Sequence, residues 1–224
     1  MHVTDLPDKT QDYLKTIWGI CDHDGKPATL GAVAGRLGQK NSTASEAIKR
    51  LADNGLVHHE RYAGITLTEH GQAMALAMVR RHRLLETFLV TVLGYTWDEV
   101  HDEADLLEHG ISDQLLSRID AYLGHPTKDP HGDPIPTAEG TLSEVETEHL
   151  GAVAEGRTVR VERIRDRDDE LLRYLADHGI VPGADITVAQ ATSAGLMMVD
   201  VKGQLVPVAE TGLNDIYVRS AAED

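Results

Sequence analysis

Apolar side chains recur at helical spacing in three stretches near the start of the chain. The stretches read KTQDYLKTIWGIC (9–21), ATLGAVAGRLG (28–38) and QKNSTASEAIKRLADNG (39–55), and the last two end at a glycine, a common helix stop. Three short helices are therefore predicted, with Asn41 or Ser42 as the N-cap of the third. The positions expected to be buried are Tyr13, Leu14, Ile17, Trp18, Leu30, Val33, Ala34, Leu37, Ala44, Ala47, Ile48 and Leu51.

The next stretch, LVHHERYAGITLTEHG, changes to strand-like composition around Ala63-Gly64, which indicates a hairpin. A helical pattern resumes near Glu69. Helix, helix, tight turn, helix and hairpin in this order predict a winged helix-turn-helix domain over residues 1–73.

Helical patterning continues through residues 71–93, 95–112 and 112–123, with Thr96 as a candidate cap and Glu99 three residues on. The positions expected to be buried in the first of these helices are Ala73, Leu76, Ala77, Leu84, Leu85, Phe88 and Val92. A helical domain is therefore predicted over residues 74–140.

Four of the eight prolines fall in residues 124–136, and a polar stretch follows, which indicates a linker over residues 141–156. The remainder, 157–224, alternates short strands around one helix, typical of a small barrel. The predicted fold class is mainly α with small β parts.

Charge is distributed unevenly along the chain. Residues 1–73 hold 8 basic and 9 acidic residues (net −1), residues 74–150 hold 5 and 15 (−10), and residues 151–224 hold 8 and 13 (−5). A near-neutral first part can still present a basic face to nucleic acid, whereas the acidic middle part requires counter-cations. Cys21 is the only cysteine, so no intrachain disulfide can form. The lack of a signal peptide or membrane-length apolar run makes a cytoplasmic protein the default expectation.

The segment HDEADLLEHGISD (101–113) concentrates metal-ligating side chains on one helical stripe. At about 100° per residue, His101, Asp105, Glu108 and His109 share a stripe beside an apolar one. Carboxylates and imidazoles crowded at the edge of a core are costly unless a cation neutralises them. The apolar stripe expected to face inward contains Ala104, Leu107, Ile111 and Leu115.

The preceding helix carries His82 and Glu86, four residues apart and therefore on one face. Antiparallel packing of the two helices would bring this pair to His101 and leave room for two neighbouring sites. The alternative for residues 101–113 is a solvated acidic surface, and for His82 and Glu86 a surface salt-bridge patch. We expect no ligand role for His58 or His59, which fall on a strand.

Together these motifs resemble the diphtheria toxin repressor (DtxR) family of metal-activated transcription regulators, in particular its manganese-sensing (MntR-like) branch. The resemblance covers nearly the whole chain. It is carried by DYLKTIW, TASEAIKRLADNGLV, ITLTEHG, RRHRLLETFLV, WDEVHDEADLLEH and PTKDPHGDPIP. It implies a winged-helix domain, a helical dimerisation domain that holds two metal sites, and a C-terminal SH3-like (FeoA-like) barrel.

The same resemblance implies which residues bind metal. The family's primary site corresponds to Asp12, Asp105, Glu108 and His109, and its ancillary site to His82, Glu86 and His101. For additional ligands from the third domain, the stretch RIRDRDDELL offers Asp166 and Asp169, with Asp168 and Glu170 as competitors.

Two departures from the family pattern bear on the choice of metal. Iron-sensing members carry sulfur-containing residues at the positions of Asp12 and Asp105, so the set here is harder and suits Mn(II), with Fe(II) as the alternative. Lys15 stands where the short manganese sensors have a carboxylate, which favours two separated sites over a closely spaced pair of ions.

The expected function is a manganese-activated repressor, not an enzyme, that binds palindromic double-stranded operator DNA as a homodimer and controls metal homeostasis genes. An iron-responsive repressor, or a winged-helix regulator that responds to an organic ligand, is the alternative. A metal hydrolase is disfavoured because the ligand set leaves no spare general base. The expected DNA contacts are Lys40, Asn41, Ser42, Thr43, Glu46, Lys49, Arg50 and Arg61.

Overall fold

A computed structural model of the chain describes residues 2–60, 64–143 and 145–221. They form two compact units. Unit 1 comprises residues up to His82 with Glu108–Ile111 and Pro136–Leu142, and unit 2 comprises Arg83–Leu107, Ser112–Ile135 and the residues from Ser143 onward. None of the helices in the described part of the chain is long and apolar enough to span a membrane.

Unit 1 is built on the predicted winged helix-turn-helix. Its helices are α1 (Asp8–Asp24), α2 (Leu30–Arg36) and α3 (Asn41–Asp53), followed by strands β1 (Val57–Glu60) and β2 (Gly64–Leu67), which pair antiparallel. The turn between α2 and α3 is closed by the Gln39 amide, which donates to the Ala34 carbonyl at 2.8 Å. The inward faces pack into one core that contains Tyr13, Leu14, Ile17, Val33, Ala34, Ala44, Ala47, Ile48 and Leu51.

Helix α4 (Glu69–Phe88) begins directly after the wing and continues into a π-helical turn, Leu89–Leu93. Two of its predicted core positions are wrong, because Ala73 and Val92 are exposed. The N-cap of α3 also differs from expectation: the chain enters the helix at Lys40 in extended conformation, without a side-chain cap.

Unit 2 contains α5 (Val100–Leu107) and α6 (Asp113–Tyr122), then the predicted barrel strands. Helix α5 begins later than predicted, because the Thr96 hydroxyl donates to the Glu99 carboxylate at 2.6 Å and closes a turn before the helix. Helix α6 is capped by Ser112, whose side chain accepts a hydrogen bond from the Leu115 amide. Leu107 and Leu115, expected to face the core, are 41% and 50% exposed.

The C-terminal part of unit 2 is a six-stranded antiparallel sheet. Its strands are β3 (Glu148–His149), β4 (Thr158–Ile164), β5 (Asp185–Ser193), β6 (Leu196–Val201), β7 (Gln204–Ala209) and β8 (Ile216–Ser220). They lie in the order β3-β8-β4-β5-β6-β7. One helix, α7 (Asp169–Asp177), packs Leu172 and Leu175 into its core. Residues 148–153, expected in the linker, instead supply β3 and the buried side chains of Leu150 and Val153.

Candidate metal centres and DNA-binding surface

Unit 1 brings together Asp12, Glu108 and His109, which we call the Asp12 cluster. The Asp12 residue lies on α1, and the other two follow the end of α5, so residues about a hundred positions apart converge. His109 Nε2 lies 3.0 Å from Asp12 Oδ1 and 3.8 Å from Glu108 Oε1. A potential ligand atom from each residue lies within 4.8 Å of the others, as coordination of a single cation requires.

A hydrogen bond on the far side of the His109 ring favours the tautomer that suits metal binding. The Gln11 carboxamide donates from Nε2 to the Leu6 carbonyl at 2.7 Å, which orients its Oε1 toward His109 Nδ1 at 3.0 Å. Because an amide oxygen only accepts, it favours a proton on Nδ1, which leaves Nε2 as the nitrogen that would bind a metal beside the carboxylates.

Lys15 and His82 also contact the Glu108 carboxylate: Lys15 shares Oε1 with His109, and His82 contacts Oε2. The Lys15 ammonium lies 2.6 Å from Glu108 Oε1 and 3.4 Å from His82 Nδ1. His82 Nδ1 is in turn 2.7 Å from Glu108 Oε2. Since Glu108 is almost fully buried, its charge is neutralised by a cation of the chain itself.

Unit 2 brings together Glu86, His101 and Asp166, which we call the His101 cluster. His101 Nδ1 lies 2.8 Å from Asp166 Oδ2 and 3.4 Å from Glu86 Oε1. Asp105, one turn further along α5, lies 3.8 Å from His101 Nε2. The predicted primary set is therefore divided between the units, with Asp105 in unit 2 and its other members in unit 1. The ancillary set is divided likewise, with His82 in unit 1 and Glu86, His101 and Asp166 in unit 2.

The structure separates the two carboxylates chosen from the third domain. Asp166 joins the His101 cluster, whereas Asp169 belongs to none of the carboxylate–histidine groups formed by the described residues. The reason is local: α7 begins at Asp169 with Asp168 as its N-cap, which places Asp169 in an exposed first turn.

A third group, the Asp129 cluster, consists of Glu86, Asp129 and His131, all of them buried. His131 stacks on Trp97, with ring centroids 5.7 Å apart, and its Nε2 lies 2.7 Å from the Trp97 carbonyl oxygen. That oxygen only accepts, so Nε2 carries the proton and the lone pair of Nδ1 faces Glu86 Oε2 at 4.0 Å. Sequence reasoning missed this cluster, although the Asp-Pro-His of the DPHGD motif was its visible signal.

The electrostatics of the Asp129 cluster favour a cation. Burial raises the pKa of Asp129 well above its ordinary value, and the nearby carboxylates of Asp133 and Glu86 raise it further, against the opposing effect of Arg83. The Arg83 Nε atom lies 3.4 Å from Asp129 Oδ2. A bound cation stabilises the charged form of a buried carboxylate whose pKa is raised by neighbouring carboxylates.

Gly132 holds the DPHGD segment against strand β4. Its φ is +88°, and a Cβ at this position would lie 2.0 Å from the Glu162 carbonyl oxygen. The Ile164 amide donates to the His131 carbonyl at 2.9 Å. Only glycine permits this approach, which fixes the backbone beside Asp129 and His131.

The predicted DNA contacts within the described residues are all exposed. They lie on the outer face of α3 or at its N-cap: Lys40, Asn41, Ser42, Thr43, Glu46, Lys49 and Arg50. Arg61 lies outside the described residues. His58 and His59 are exposed on β1 and belong to no metal-ligating group in the described ranges.

A groove of about 540 Å³ runs beside α3 and was not anticipated. Lys9 on α1 and Arg50 on α3 both line it, and Tyr13 donates its hydroxyl to Gln39 Oε1 at 2.6 Å on the same wall. Burial raises the pKa of Tyr13, with Arg50 acting in the opposite direction. Two cations on a groove next to the exposed helix suit a DNA phosphate.

Comparison with known proteins agrees with this arrangement of domains. Residues 5–65 match the iron-dependent repressor N-terminal DNA-binding domain, residues 68–137 match the iron-dependent repressor metal-binding and dimerisation domain, and residues 149–220 match the FeoA domain.

Individual relatives extend over almost the full chain. The iron-dependent repressor IdeR of Mycobacterium leprae is 33% identical over 214 residues, which cover 90% of this chain and 92% of that protein. A manganese-dependent transcriptional repressor solved in complex with manganese is 46% identical with a TM-score of 0.90, covering 95% of this chain and all of that one. The manganese regulator SloR is 31% identical with a TM-score of 0.78, covering 95% and 98%.

Proposed function

The chain belongs to the DtxR/MntR family of metal-dependent transcriptional repressors, and from that premise we propose that it is activated by Mn(II). Members of this family are dimeric, bind a divalent metal and operator DNA, and are not enzymes. In this proposal the protein acts in the cytoplasm as a homodimer on palindromic DNA and represses metal homeostasis genes.

The choice of manganese rests on the chemistry of the proposed ligands. We propose Asp12, Asp105, Glu108 and His109 as the primary ligands, which supply carboxylate oxygens and one imidazole nitrogen but no sulfur. Hard oxygen donors suit Mn(II), and softer donors would favour later metals. Relatives alone leave the ion open, since some are named for iron and others for manganese.

For the ancillary site we propose Glu86, His101 and Asp166, with His82 retained from the sequence-based set. Asp169 is left out, because it belongs to none of the carboxylate–histidine groups of the described residues. Asp129 and His131 are added because their ligand atoms converge on the same Glu86 carboxylate. The two oxygens of Glu86 face different imidazoles: Oε1 lies toward His101 and Oε2 toward His131. One carboxylate can therefore contribute ligand atoms to both the His101 cluster and the Asp129 cluster.

The proposed switch follows from the elements that carry the ligands. Asp12 is part of the helix that supports the winged-helix core, whereas Glu108 and His109 follow α5. A bound cation would neutralise these carboxylates and favour the arrangement in which Asp12 remains beside His109. Because that arrangement fixes α1, and α1 packs in the core with α3, metal and DNA binding are expected to reinforce each other.

On the DNA side we propose contacts from Lys40, Asn41, Ser42, Thr43, Glu46, Lys49, Arg50 and Arg61, with Lys9 as an additional phosphate contact. The recognition helix α3 would enter the major groove with its N-terminal residues near base edges. Half-sites related by the dimer axis then give a palindromic operator.

DNA binding at buffered free metal tests the proposal. A duplex selected from a randomised library in Mn(II) would be titrated by fluorescence anisotropy with Mn, anaerobic Fe(II), Co, Ni, Zn and excess chelator. We expect DNA binding at the lowest free Mn(II) concentrations that are physiological, and no DNA binding in excess chelator. His58→Ala serves as a control that leaves the metal response unchanged, while Asp105→Ala abolishes it. Equal DNA affinity in chelator and in manganese would contradict the proposed function.

The winged-helix regulator that responds to an organic ligand is distinguished by thermal shift. Mn(II) is expected to raise the unfolding temperature, because it binds the folded state in preference to the unfolded chain. A shift caused by an organic molecule, with none from any divalent metal, would favour that alternative.

A further inference from the structure

A carboxylate lies in the middle of the face that α3 presents outward. Glu46 is exposed, and so are Ser42, Ser45 and Lys49, which lie within one helical turn of it on the same side. Phosphates on either side of a DNA groove repel a carboxylate, so an acidic residue at this position weakens non-specific binding. A contact specific to one base could offset this repulsion at the correct sequence.

A local ion pair does not account for Glu46. Lys49 and Arg50 follow at the spacings that allow pairing within a helix. Neither forms an ion pair or hydrogen bond with Glu46 in the part of the chain that the structure describes. The carboxylate is therefore available to a partner outside the chain.

The neighbouring residues allow Glu46 to reach the floor of a groove. Ser42 and Ser45 are small, and they occupy the half of the face nearer the helix N-terminus, which approaches base edges most closely in this class of domain. Glu46 is the longest side chain among these three.

Resting on the proposed function, we infer that Glu46 reads a cytosine in each half-site of the operator. In the major groove, guanine presents only acceptors and thymine an acceptor and a methyl group, so a carboxylate is repelled by the polar atoms of both. Cytosine and adenine each present an amine donor. Adenine also presents the N7 acceptor beside it, which repels the second carboxylate oxygen, so cytosine is the better partner.

This reading makes Glu46 a specificity-determining residue that acts partly by exclusion. The carboxylate gains one hydrogen bond at cytosine and is repelled by acceptor atoms of the other bases. The contact therefore increases the difference in affinity between the correct and incorrect sequences more than it increases affinity for the correct one. The near-neutral charge of residues 1–73 is consistent with such a design, because little non-specific attraction masks the discrimination.

Binding-site selection with randomised duplexes in Mn(II) tests the inference on the full-length protein. Parent, Glu46→Gln and Asp53→Asn would be compared. Asp53 is an exposed carboxylate at the C-terminal end of the same helix, about 10 Å further along, so its variant removes the same charge away from the base edges. Circular dichroism verifies that both variants are folded.

In sequences selected by the parent and by Asp53→Asn, we expect one fixed C·G pair per half-site at a position that Glu46→Gln does not retain. For Glu46→Gln that position should move toward adenine, which a carboxamide pairs with through N6 and N7. Replacing the cytosine should weaken parent binding about 5- to 150-fold, the usual cost of one mismatched base pair, and barely affect Glu46→Gln. Glu46→Gln should also bind unrelated DNA more tightly.

Two results would overturn the inference: a parent selection without a fixed cytosine in the half-site, or unchanged preferences in Glu46→Gln. If manganese-dependent DNA binding is intact, either result rejects the role of Glu46 and leaves the proposed function standing. Absence of metal-dependent DNA binding in the parent rejects the proposed function as well.

Discussion

At the scale of single residues, Lys15 sets how many cations the Asp12 cluster is expected to hold. Its ammonium lies between Glu108 Oε1 and His82 Nδ1, at 2.6 and 3.4 Å, where a second ion would otherwise find both donors. Lys15→Glu is expected to add one Mn(II) per chain, because it removes a positive charge and adds a ligand. Lys15→Gln, which adds no charged ligand, should not. Equilibrium dialysis with metal analysis gives the stoichiometry, and identical values for all three proteins would contradict this role.

The selectivity of the primary site also belongs to individual residues. The double variant Asp12→Met with Asp105→Cys should lower the ratio of Mn(II) to Fe(II) potency, because sulfur donors favour Fe(II) over Mn(II). Half-activation of DNA binding would be measured anaerobically with buffered metal. The ratio is the relevant quantity, since altered side-chain length can weaken every metal together. If both ions still activate at an unchanged ratio, Asp12 and Asp105 do not set selectivity.

At the scale of elements, the contact between the DPHGD segment and β4 is expected to support metal binding. Gly132→Ala forces a Cβ into the Glu162 carbonyl and should displace Asp129 and His131, so the affinity of the ancillary site falls. Gly183→Ala is a matched control, because Gly183 has the same φ of +88° but no atom within 4 Å of an added Cβ. Isothermal titration would measure the metal affinity of both variants. Equal losses in the two variants would attribute the effect to backbone strain alone.

Strand β4 also carries a carboxylate whose titration is linked to stability. Burial alone would raise the pKa of Glu162, but hydrogen bonds from Lys128 and Arg219 outweigh it and lower the pKa below the ordinary 4.5. The folded state thus binds this proton less tightly than the unfolded chain, so stability is gained above about pH 4.5 and lost as pH falls through the lower value. Glu162→Gln should cost about 1–3 kcal/mol at pH 7 in urea unfolding. The cost should shrink in acid, and a pH-independent difference would contradict the linkage.

The elements were predictable from sequence where their signals are local. The helix-turn-helix follows from periodic apolar residues bounded by glycines, and the recognition helix buries the expected Ala44, Ala47, Ile48 and Leu51. The start of α5 could not be predicted in this way. Thr96 and Glu99 match a capping pattern, but their hydrogen bond closes a turn that lies before the helix and is not part of it. An N-cap motif identifies a bend in the chain, and packing decides where the helix begins.

The candidate site was predictable to a similar degree. Helical spacing and family resemblance brought out Asp12, Glu108 and His109, which the structure places together. They did not bring out Asp129 or His131, because their partner Glu86 lies more than forty residues away and no local periodicity links them. The expected burial of Leu107 and Leu115 also failed, since a helical wheel does not separate a face that packs within the chain from one that is left exposed.

At the scale of the whole molecule, we expect two copies to meet at a set of exposed apolar side chains. The large apolar residues exposed between positions 92 and 122 fall within the segment that matches the family's dimerisation domain. Leu106→Glu should therefore yield monomers in sedimentation velocity and lose DNA binding. Leu205→Glu alters a similarly exposed leucine on β7 and should leave the dimer intact. The exposed residues between 92 and 122 are Val92, Leu93, Leu106, Leu107, Leu115 and Tyr122.

The Lys15 ammonium has a further consequence, for how fast the repressor responds. A buried carboxylate that is already paired with a cation of the chain does not drive its surroundings apart when metal is scarce. Metal binding would then require only that Glu108 exchange its ion pair with Lys15 for contact with the metal. In a site whose ligands were disordered without metal, a chain segment would first have to become ordered. In stopped-flow mixing, the rate of metal association should rise linearly with metal concentration, without the plateau that a slow conformational step imposes. A cell that holds such a protein can silence its target genes within the time of metal entry, using repressor molecules made beforehand.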